Sequence, residues 1–259
     1  TQLLRQFEPL FPKKFNRFFE PFLGSGAVFF YLSKTRKSHS AFLSDGNQEL
    51  IDCYFGVRDH LNEIVEQLGW YKTFHSTKQF YQVRKLDPWV LTLPSRAARF
   101  IYLNKTCFNG LYRVNKRGEF NVPIGRYKNP PILQERKLRA ASLALTGINI
   151  KAMDFIELPK YVEAGDFVYF DPPYQPLSAT SNFTGYTEVS FDEAKQCELA
   201  ETCRSLSERG ALIMLSNSAT RLVRDLYPPH MFRVTQVEAK RSINSKGDSR
   251  GLISELVIT

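Results

Sequence analysis

The segment Asp166–Tyr174 most restricts what this chain can fold into. An acid is followed by the apolar and aromatic run Phe167–Phe170, and then by Asp-Pro-Pro-Tyr. A short, uninterrupted apolar run between turn signals is typical of a strand buried on both faces of a parallel sheet. The two prolines have fixed φ angles and no N–H, so the ladder cannot continue past Asp171. The sequence therefore predicts a rigid corner at the carboxyl end of a buried parallel strand.

This corner offers hydrogen-bond acceptors and lacks donors. Its groups are the Asp171 carboxylate, the proline carbonyls and the ring of Tyr174. Open α/β sheets bind their ligands at the carboxyl ends of parallel strands. An acceptor-rich edge beside an exposed ring suits a flat substrate that presents an amino group.

Length and composition fit an α/β protein with an insertion. Of the 259 residues 43% are hydrophobic, which is ample for a core, and no apolar run approaches the length of a membrane span. No signal-peptide pattern is present at the start of the sequence. The four cysteines are scattered, without Cys-x-x-Cys spacing, so we expect buried thiols in a reducing cytoplasm and no metal site.

The net charge of +9 is a weak pointer to polyanions, but its distribution says more. Between Pro88 and Gln134 the only acid is Glu119. The basic residues there are Arg96, Arg99, Lys105, Arg113, Lys116, Arg117, Arg126 and Lys128. A segment with almost only positive charges is a candidate phosphate-contacting face, and a solvated surface charge is the open alternative for each residue.

Strand-like and helical segments alternate along the chain, with one interruption. The predicted strands are Arg17–Phe22, Ser40–Ser44, Ile148–Ala152, Phe167–Phe170, Ala211–Leu215, Phe232–Val237 and Leu256–Ile258. In the interruption, Lys116-Arg117-Gly118 before the alternating Glu119–Val122 indicates a hairpin. We predict an α/β domain formed by residues 1–55 and 146–259, with a helical and hairpin subdomain at 56–145.

The turn after the first predicted strand is arranged as in nucleotide-binding proteins. Gly24 and Gly26 allow a close backbone approach where a helix begins, although a Gly-x-Gly turn without a ligand is an open alternative. Asp45, about 20 residues on, could accept from ribose hydroxyls or simply cap a helix. Glu20 and the lack of a Lys-Ser/Thr pair argue against a phosphate cradle. A ligand with hydroxyls and a positive centre, such as S-adenosylmethionine, fits better.

Three further places at the same sheet edge or near the C-terminus are of interest. Asp154-Phe155 could meet an adenine amino group and face, or be an ordinary loop pair. Ser216-Asn217 follows a strand and is expected to help shape the pocket. Lys240-Arg241 and Lys246–Arg250 form either a second DNA clamp or a surface loop.

The chain resembles the alpha-class adenine-N6 DNA methyltransferases in two motifs. These are Phe19-Glu20-Pro21-Phe22-Leu23-Gly24-Ser25-Gly26 and Asp171-Pro172-Pro173-Tyr174. The resemblance is to the Dam and DpnII-type group that modifies GATC, and it covers essentially the whole chain. Its most specific part is Cys107–Asn115 with Gly118–Pro123 and Gly125–Lys128, which is similar to the family's target-recognition hairpin. It implies a Rossmann-like methyltransferase sheet with an antiparallel C-terminal strand and an inserted DNA-recognition subdomain.

The resemblance also implies an activity and its residues. The chain would transfer a methyl group from S-adenosylmethionine to adenine N6 in double-stranded DNA, after base flipping, as a monomeric bacterial enzyme of DNA methylation or restriction-modification associated with the nucleoid. The catalytic residues would be Asp171, Pro172 and Tyr174. The cofactor would contact Phe19, Glu20, Pro21, Gly24, Ser25, Gly26, Asp45, Asp154, Phe155 and Asp171. The DNA would contact Phe108, Asn109, Leu111, Arg113, Asn115, Lys116, Arg117, Pro123, Arg126, Tyr127 and Lys128.

Members of that family carry a Lys-Trp-x-Gly-Gly-Lys segment just before the first helix, and this sequence begins after it; we expect the complete protein to carry it. A catalytically inactive DNA-binding module is the alternative from another class. A cytosine-N4 enzyme would favour Ser at position 171, and a glutamine-methylating enzyme would favour Asn, so Asp171 argues against both.

Overall fold

The computed structural model describes residues 3–35, 40–175, 191–240 and 252–259. The strands are β1 (Phe18–Glu20), β2 (Ala41–Asp45), β3 (Asn149–Ala152), β4 (Phe167–Phe170), β5 (Leu212–Ser218), β6 (Val234–Lys240) and β7 (Leu252–Ile258). The α-helices are α1 (Leu4–Phe7), α2 (Ala27–Thr35), α3 (Gln48–Asp59), α4 (Leu61–Thr73), α5 (Thr77–Lys85), α6 (Leu93–Thr106), α7 (Glu135–Leu145), α8 (Glu193–Glu208) and α9 (Arg221–Leu226). Short 3-10 helices lie at Glu8–Leu10, Pro88–Val90, Phe108–Gly110 and Phe155–Lys160.

The strands form one sheet in the order β3-β2-β1-β4-β5-β7-β6. β1 pairs in parallel with β2 and β4, and β4 pairs in parallel with β5. β7 runs antiparallel to both of its neighbours, β5 and β6. This arrangement confirms the predicted Rossmann-like methyltransferase sheet with an antiparallel C-terminal strand.

Strand lengths depart from the predictions for identifiable reasons. β4 has the predicted bounds, and every residue in it is buried. β1 ends at Glu20 rather than Phe22, because Pro21 has no N–H to continue the ladder. β5 continues to Ser218 rather than ending at Leu215, and β7 starts at Leu252 rather than Leu256. The polar end of β5 stays in the sheet because its side chains find buried hydrogen-bond partners.

One compact unit contains the described residues up to Gly46, from Lys151 to 175, and from Phe191 onward. Its core includes Phe19, Phe170, Leu199 and Leu215, all with at most 1% exposure. Below the sheet's amino-terminal edge, the buried Asp166 accepts hydrogen bonds from the Arg17 side chain, the shorter being 2.6 Å. Because that carboxylate is paired, it can stay buried at the start of β4.

The other compact unit is residues 47–150, where the sequence pattern suggested 56–145. α3 packs against α6, and the Asn47 side chain caps α3 by accepting from the Leu50 N–H. The predicted Glu119–Val122 strand is not a regular ladder: the segment makes only the single bridge Val114–Phe120 among the described residues. Its burial still alternates, since Phe120 and Val122 are buried and Glu119 is exposed.

Within the described ranges, no helix is both long and apolar enough to cross a bilayer. The same residues hold no group of three or more His, Cys, Asp or Glu arranged to bind a metal ion. The Lys246–Arg250 loop discussed above lies outside the described residues.

Candidate active site

Asp171 leaves the carboxyl end of β4 and is fixed by the neighbouring strand. The Ser216 hydroxyl donates to Asp171 Oδ1 at 2.7 Å, and the Tyr169 hydroxyl lies 3.0 Å from the same Ser216 oxygen. Asp171 is exposed by surface area, yet protein atoms surround its carboxylate, and this desolvation raises its pKa. The Ser216 hydrogen bond opposes that shift. The Asp171 carboxylate is thus held through Oδ1.

The two proline carbonyls beside it differ in their hydrogen bonding. The Pro173 carbonyl accepts from Gln196 Nε2 at 3.1 Å. No group among the described residues donates to the Pro172 carbonyl. Asp171 and Pro172 are therefore adjacent acceptors, with Pro172 buried, whereas the Pro173 carbonyl, which the sequence also offered to a substrate, is occupied.

Tyr174 is held through its hydroxyl. It donates to Glu255 Oε2 on β7 at 3.0 Å, and its residue is only partly exposed. Burial raises the pKa of Glu255, and the charge of Asp171 adds to the shift, whereas the Tyr174 hydrogen bond opposes it. The ring is thus fixed at one edge of the acceptor pair.

The β1–α2 turn has the backbone that its glycines allow. Gly24 and Gly26 have φ of +46° and +62°, a region that side chains with a Cβ rarely enter. The Gly24 N–H donates to Asp45 Oδ2 at 3.0 Å, which joins the ends of β1 and β2. Gly24 and Ser25 are exposed, so backbone at this strand end is open to a ligand.

Glu20 lies under that turn rather than on its surface. It is 2% exposed, and its Oε2 accepts from the Phe29 N–H in α2 at 3.1 Å. Burial raises its pKa well above the usual range, the Phe29 hydrogen bond opposes this, and the charge of Asp171 adds to it. Phe19 and Pro21 on either side are also buried, and the Phe19 ring stacks on Phe42.

The end of β3 lies beside that of β2, since the Met153 N–H donates to the Asp45 carbonyl at 3.0 Å. Asp154 next to it is about half exposed; it accepts from the Ile156 N–H and lies 4.0 Å from Lys195 Nζ. Phe155 is 4% exposed, with its ring against those of Phe22 and Phe191. The carboxylates of Asp45 and Asp154 therefore reach the edge, whereas the Phe155 ring is packed in the core.

The candidate DNA-contacting residues belong to residues 47–150. Phe108 is 47% exposed, and Asn109 and Gly110 after it have φ of +55° and +62°. The tight turn is held by the Asn104 side chain, which donates to the Gly110 carbonyl at 2.8 Å, and by the Phe108 N–H, which donates to the Pro123 carbonyl at 2.8 Å. Phe108 and Asn109 thus project from a braced backbone.

Arg113 and Asn115 are each engaged within the hairpin. Arg113 is exposed, and its Nε donates to Asn121 Oδ1 at 2.7 Å. Asn115 accepts from the backbone N–H groups of Arg117 and Glu119 and donates to the Glu119 carboxylate. Asn115 therefore holds the turn itself. The remaining candidates are exposed except for the partly buried Leu111: Lys116, Arg117, Pro123, Arg126, Tyr127 and Lys128.

A buried cluster that the sequence did not reveal anchors this hairpin. Glu49 accepts from Arg99 at 2.6 Å and from the Tyr112 hydroxyl at 3.1 Å, and both Glu49 and Arg99 are at most 5% exposed. Burial raises the pKa of Glu49, and the charge of Arg99 opposes the shift. In the other unit, Gln196, Ser218 and Glu255 were likewise missed. A polar residue at a core position of its helix or strand is the one signal that could have found them.

Known proteins resemble this chain over nearly its whole length. Residues 1–243 match the model of the D12 class N6 adenine-specific DNA methyltransferase family. A Type II methyltransferase of Lactococcus lactis subsp. cremoris is 40% identical over 264 residues, covering 100% of this chain and 91% of the relative. One of Methanocaldococcus jannaschii is 43% identical over 269 residues, covering 96% and 91%. The DNA adenine methylase of Escherichia coli K12 is 36% identical over 245 residues, covering 92% and 84%.

Proposed function

Because the chain belongs to the D12 class of N6 adenine-specific DNA methyltransferases, we propose that it uses S-adenosylmethionine to methylate adenine at GATC after flipping the base out of the duplex. The observation that carries the proposal is the pair of acceptors at the end of β4: the Asp171 carboxylate and the Pro172 carbonyl, to which no described residue donates.

The acceptor pair addresses the poor nucleophilicity of adenine N6, whose lone pair is conjugated into the ring. Asp171 and Pro172 would accept the two N6–H groups, which biases the nitrogen toward a tetrahedral shape and aims its lone pair. Catalysis then consists of positioning and electrostatic stabilisation of the transiently positive amine. No side chain has to act as a strong base, because the methylated ammonium is very acidic.

Tyr174 supplies a platform for the extruded base. An adenine stacked inside a duplex cannot reach a pocket at a sheet edge, so the enzyme has to flip it. The Glu255 hydrogen bond fixes the Tyr174 ring beside Asp171. A ring held in place loses little conformational freedom when a base stacks on it.

The other strand ends suit S-adenosylmethionine. When bound, that cofactor supplies an electrophilic methyl group on a positively charged sulfur. The exposed Gly24-Ser25 backbone would approach it, Asp45 would accept from the ribose hydroxyls, and Asp154 would accept from the adenine amino group. Glu20 and Asp171, when ionised, would favour the positive centre, although burial raises the pKa of both.

The hairpin carries the sequence preference. Phe108 would enter the base stack and Asn109 the vacated space. The Asn121 contact leaves the terminal nitrogens of Arg113 for a bidentate contact with a guanine. Leu111 and Pro123 would touch a thymine methyl, Tyr127 the other flank of the site, and the exposed lysines and arginines the phosphates.

Tritiated methyl transfer tests the proposal. We expect incorporation into a duplex with one GATC site and none into a duplex of equal composition with GTAC. Asp171→Ala should abolish transfer while DNA binding, measured by fluorescence anisotropy, persists. Equal labelling of both duplexes would refute the site preference. The alternative, an inactive DNA-binding module, predicts no heat on titration with S-adenosylmethionine and no transfer to either duplex.

A further inference from the structure

We propose that Gln196 and Asn217 form a positioning relay that sets the Pro172 carbonyl in place for the substrate amine. Neither residue touches the amine; both act through the backbone of the proline corner. The inference rests on the proposed function, because it concerns how an acceptor at that site is oriented.

A corner built from two prolines offers few backbone groups by which the rest of the protein can hold it. Neither Pro172 nor Pro173 has an N–H, so their backbone can be held only through its carbonyl oxygens. One carbonyl must remain open for the substrate. The Gln196 side chain, on α8, solves this by donating to the Pro173 carbonyl at 3.1 Å.

The orientation of the Gln196 amide is dictated by its other partner. Asn217 Nδ2 donates to Gln196 Oε1 at 3.0 Å. Asn217 Oδ1 in turn accepts from the backbone N–H groups of Ser218 at 2.8 Å and Gln175 at 3.2 Å. Two backbone donors require the Asn217 oxygen on their side, so its nitrogen faces Gln196. The Gln196 nitrogen must then point at Pro173.

Both amides are fully buried, with 0% exposure. Protein groups alone therefore set the orientation of the Gln196 amide, whereas Pro173, whose carbonyl it holds, is an exposed residue. Because the Pro173 ring fixes its own φ, holding the Pro173 carbonyl also restricts the preceding peptide plane, which contains the Pro172 carbonyl. The relay thus restricts the direction in which that oxygen points.

Two variants test the relay. Gln196→Met keeps the length of the side chain and removes the donor. Asn217→Asp keeps the oxygen that accepts from Ser218 and Gln175 but replaces the donor to Gln196 with an acceptor. The Gln196 amide would then turn its nitrogen to Asp and its oxygen toward the Pro173 carbonyl. Glu201→Gln, an exposed change on the same helix, is the matched control.

The measurement is the single-turnover methyl-transfer rate on a GATC duplex at saturating cofactor and DNA. We expect a loss of roughly 10²-fold in both variants, the scale of a misplaced reacting group. The dissociation constants for S-adenosylmethionine and DNA should stay at wild-type values. The fluorescence rise of 2-aminopurine at the target position should also persist, since that base lacks the 6-amino group.

Wild-type transfer rates in Gln196→Met and Asn217→Asp would overturn the relay. A variant that loses cofactor affinity, melting temperature and rate together would show a general structural role and would overturn it as well. A wild-type protein that bound S-adenosylmethionine but never methylated GATC would instead refute the proposed function.

Discussion

The Asp171 carboxylate accepts hydrogen bonds from an amino group most strongly when it is ionised, and its surroundings oppose ionisation. Desolvation raises its pKa, and the hydrogen bond from Ser216 only partly compensates. As pH falls through this raised pKa, the carboxylate gains a proton and loses an acceptor. We expect the single-turnover rate to decline on the acid side at a higher pH than the value of about 3.9 for an ordinary aspartate would give.

The matched variant for this titration is Asp171→Asn. Its amide oxygen can still accept from Ser216, but it has no proton to gain, so its residual rate should not show the acidic limb. An acidic limb of the same shape in Asp171→Asn would assign the titration to another group. The desolvated neighbours Glu20 and Glu255 are the groups to substitute next.

Substitutions of Arg113 and Lys116 test two different roles in DNA binding: recognition of a base and contact with a phosphate. Arg113→Ala should lose roughly 1–3 kcal/mol of preference for one base pair of the site, because a bidentate base contact is removed. Lys116→Ala should weaken binding to every sequence alike, because a phosphate contact carries no base information. Competition binding with duplexes changed at one position each measures both effects. An unchanged preference in Arg113→Ala would refute its assignment as a base-reading residue.

Among the individual elements, those with strong local signals were predictable. β4 has an uninterrupted apolar run and a proline stop, and its bounds were predicted in full. The polar end of β5 was not predictable, because Ser216 to Ser218 have the composition of a loop. They stay in the sheet through hydrogen-bond partners that are distant in sequence. Gln196 lies in a helix whose surface pattern gives no hint of Pro173, 23 residues away.

The hairpin shows the same division between local and long-range information. Its turn at Lys116–Gly118 was predictable, since Gly118 has φ of +74° and such turns favour glycine. Its attachment was not predictable, because the Glu49 partner of Tyr112 is 63 residues away. Pairing over that distance leaves no periodic trace in the sequence.

Tyr112→Phe tests the attachment of the hairpin. The variant keeps the ring and removes the hydroxyl that donates to buried Glu49, which retains Arg99. We expect a loss of roughly 1.5–3 kcal/mol in the free energy of unfolding, measured with urea, from one buried hydrogen bond to a charged group. We also expect weaker discrimination between GATC and sites with one changed base pair, because Tyr112 lies between Leu111 and Arg113.

Tyr81→Phe is the control for that loss, since it changes the same chemical group on α5, where the Tyr81 ring contacts Arg84. It should leave site discrimination unchanged. Equal discrimination in Tyr112→Phe and the wild type would show that the buried cluster stabilises the helices without influencing recognition.

At the scale of the whole molecule, the two compact units differ in their secondary structure and in their charge. The units divide at Gly46 and Ile150, so α3 joins the helices that it packs against rather than the sheet that precedes it. The excess of positive charge is concentrated in the segment from Pro88 to Gln134, where Glu119 is the only acid. Net charge was readable from composition, but the exposure of these side chains required the structure.

This concentration of charge predicts how DNA binding responds to salt. Each neutralised phosphate releases counterions, so the logarithm of the binding constant should fall linearly with the logarithm of salt concentration, with a slope near −0.9 per phosphate contacted. Arg126→Ala and Lys128→Ala should each make that slope shallower by about one, since both side chains are exposed on the segment. Lys160→Ala should not, because Lys160 lies outside the segment and pairs with Glu157. Anisotropy titrations at several salt concentrations measure the slopes, and identical slopes for all three variants would place the phosphate-binding surface elsewhere.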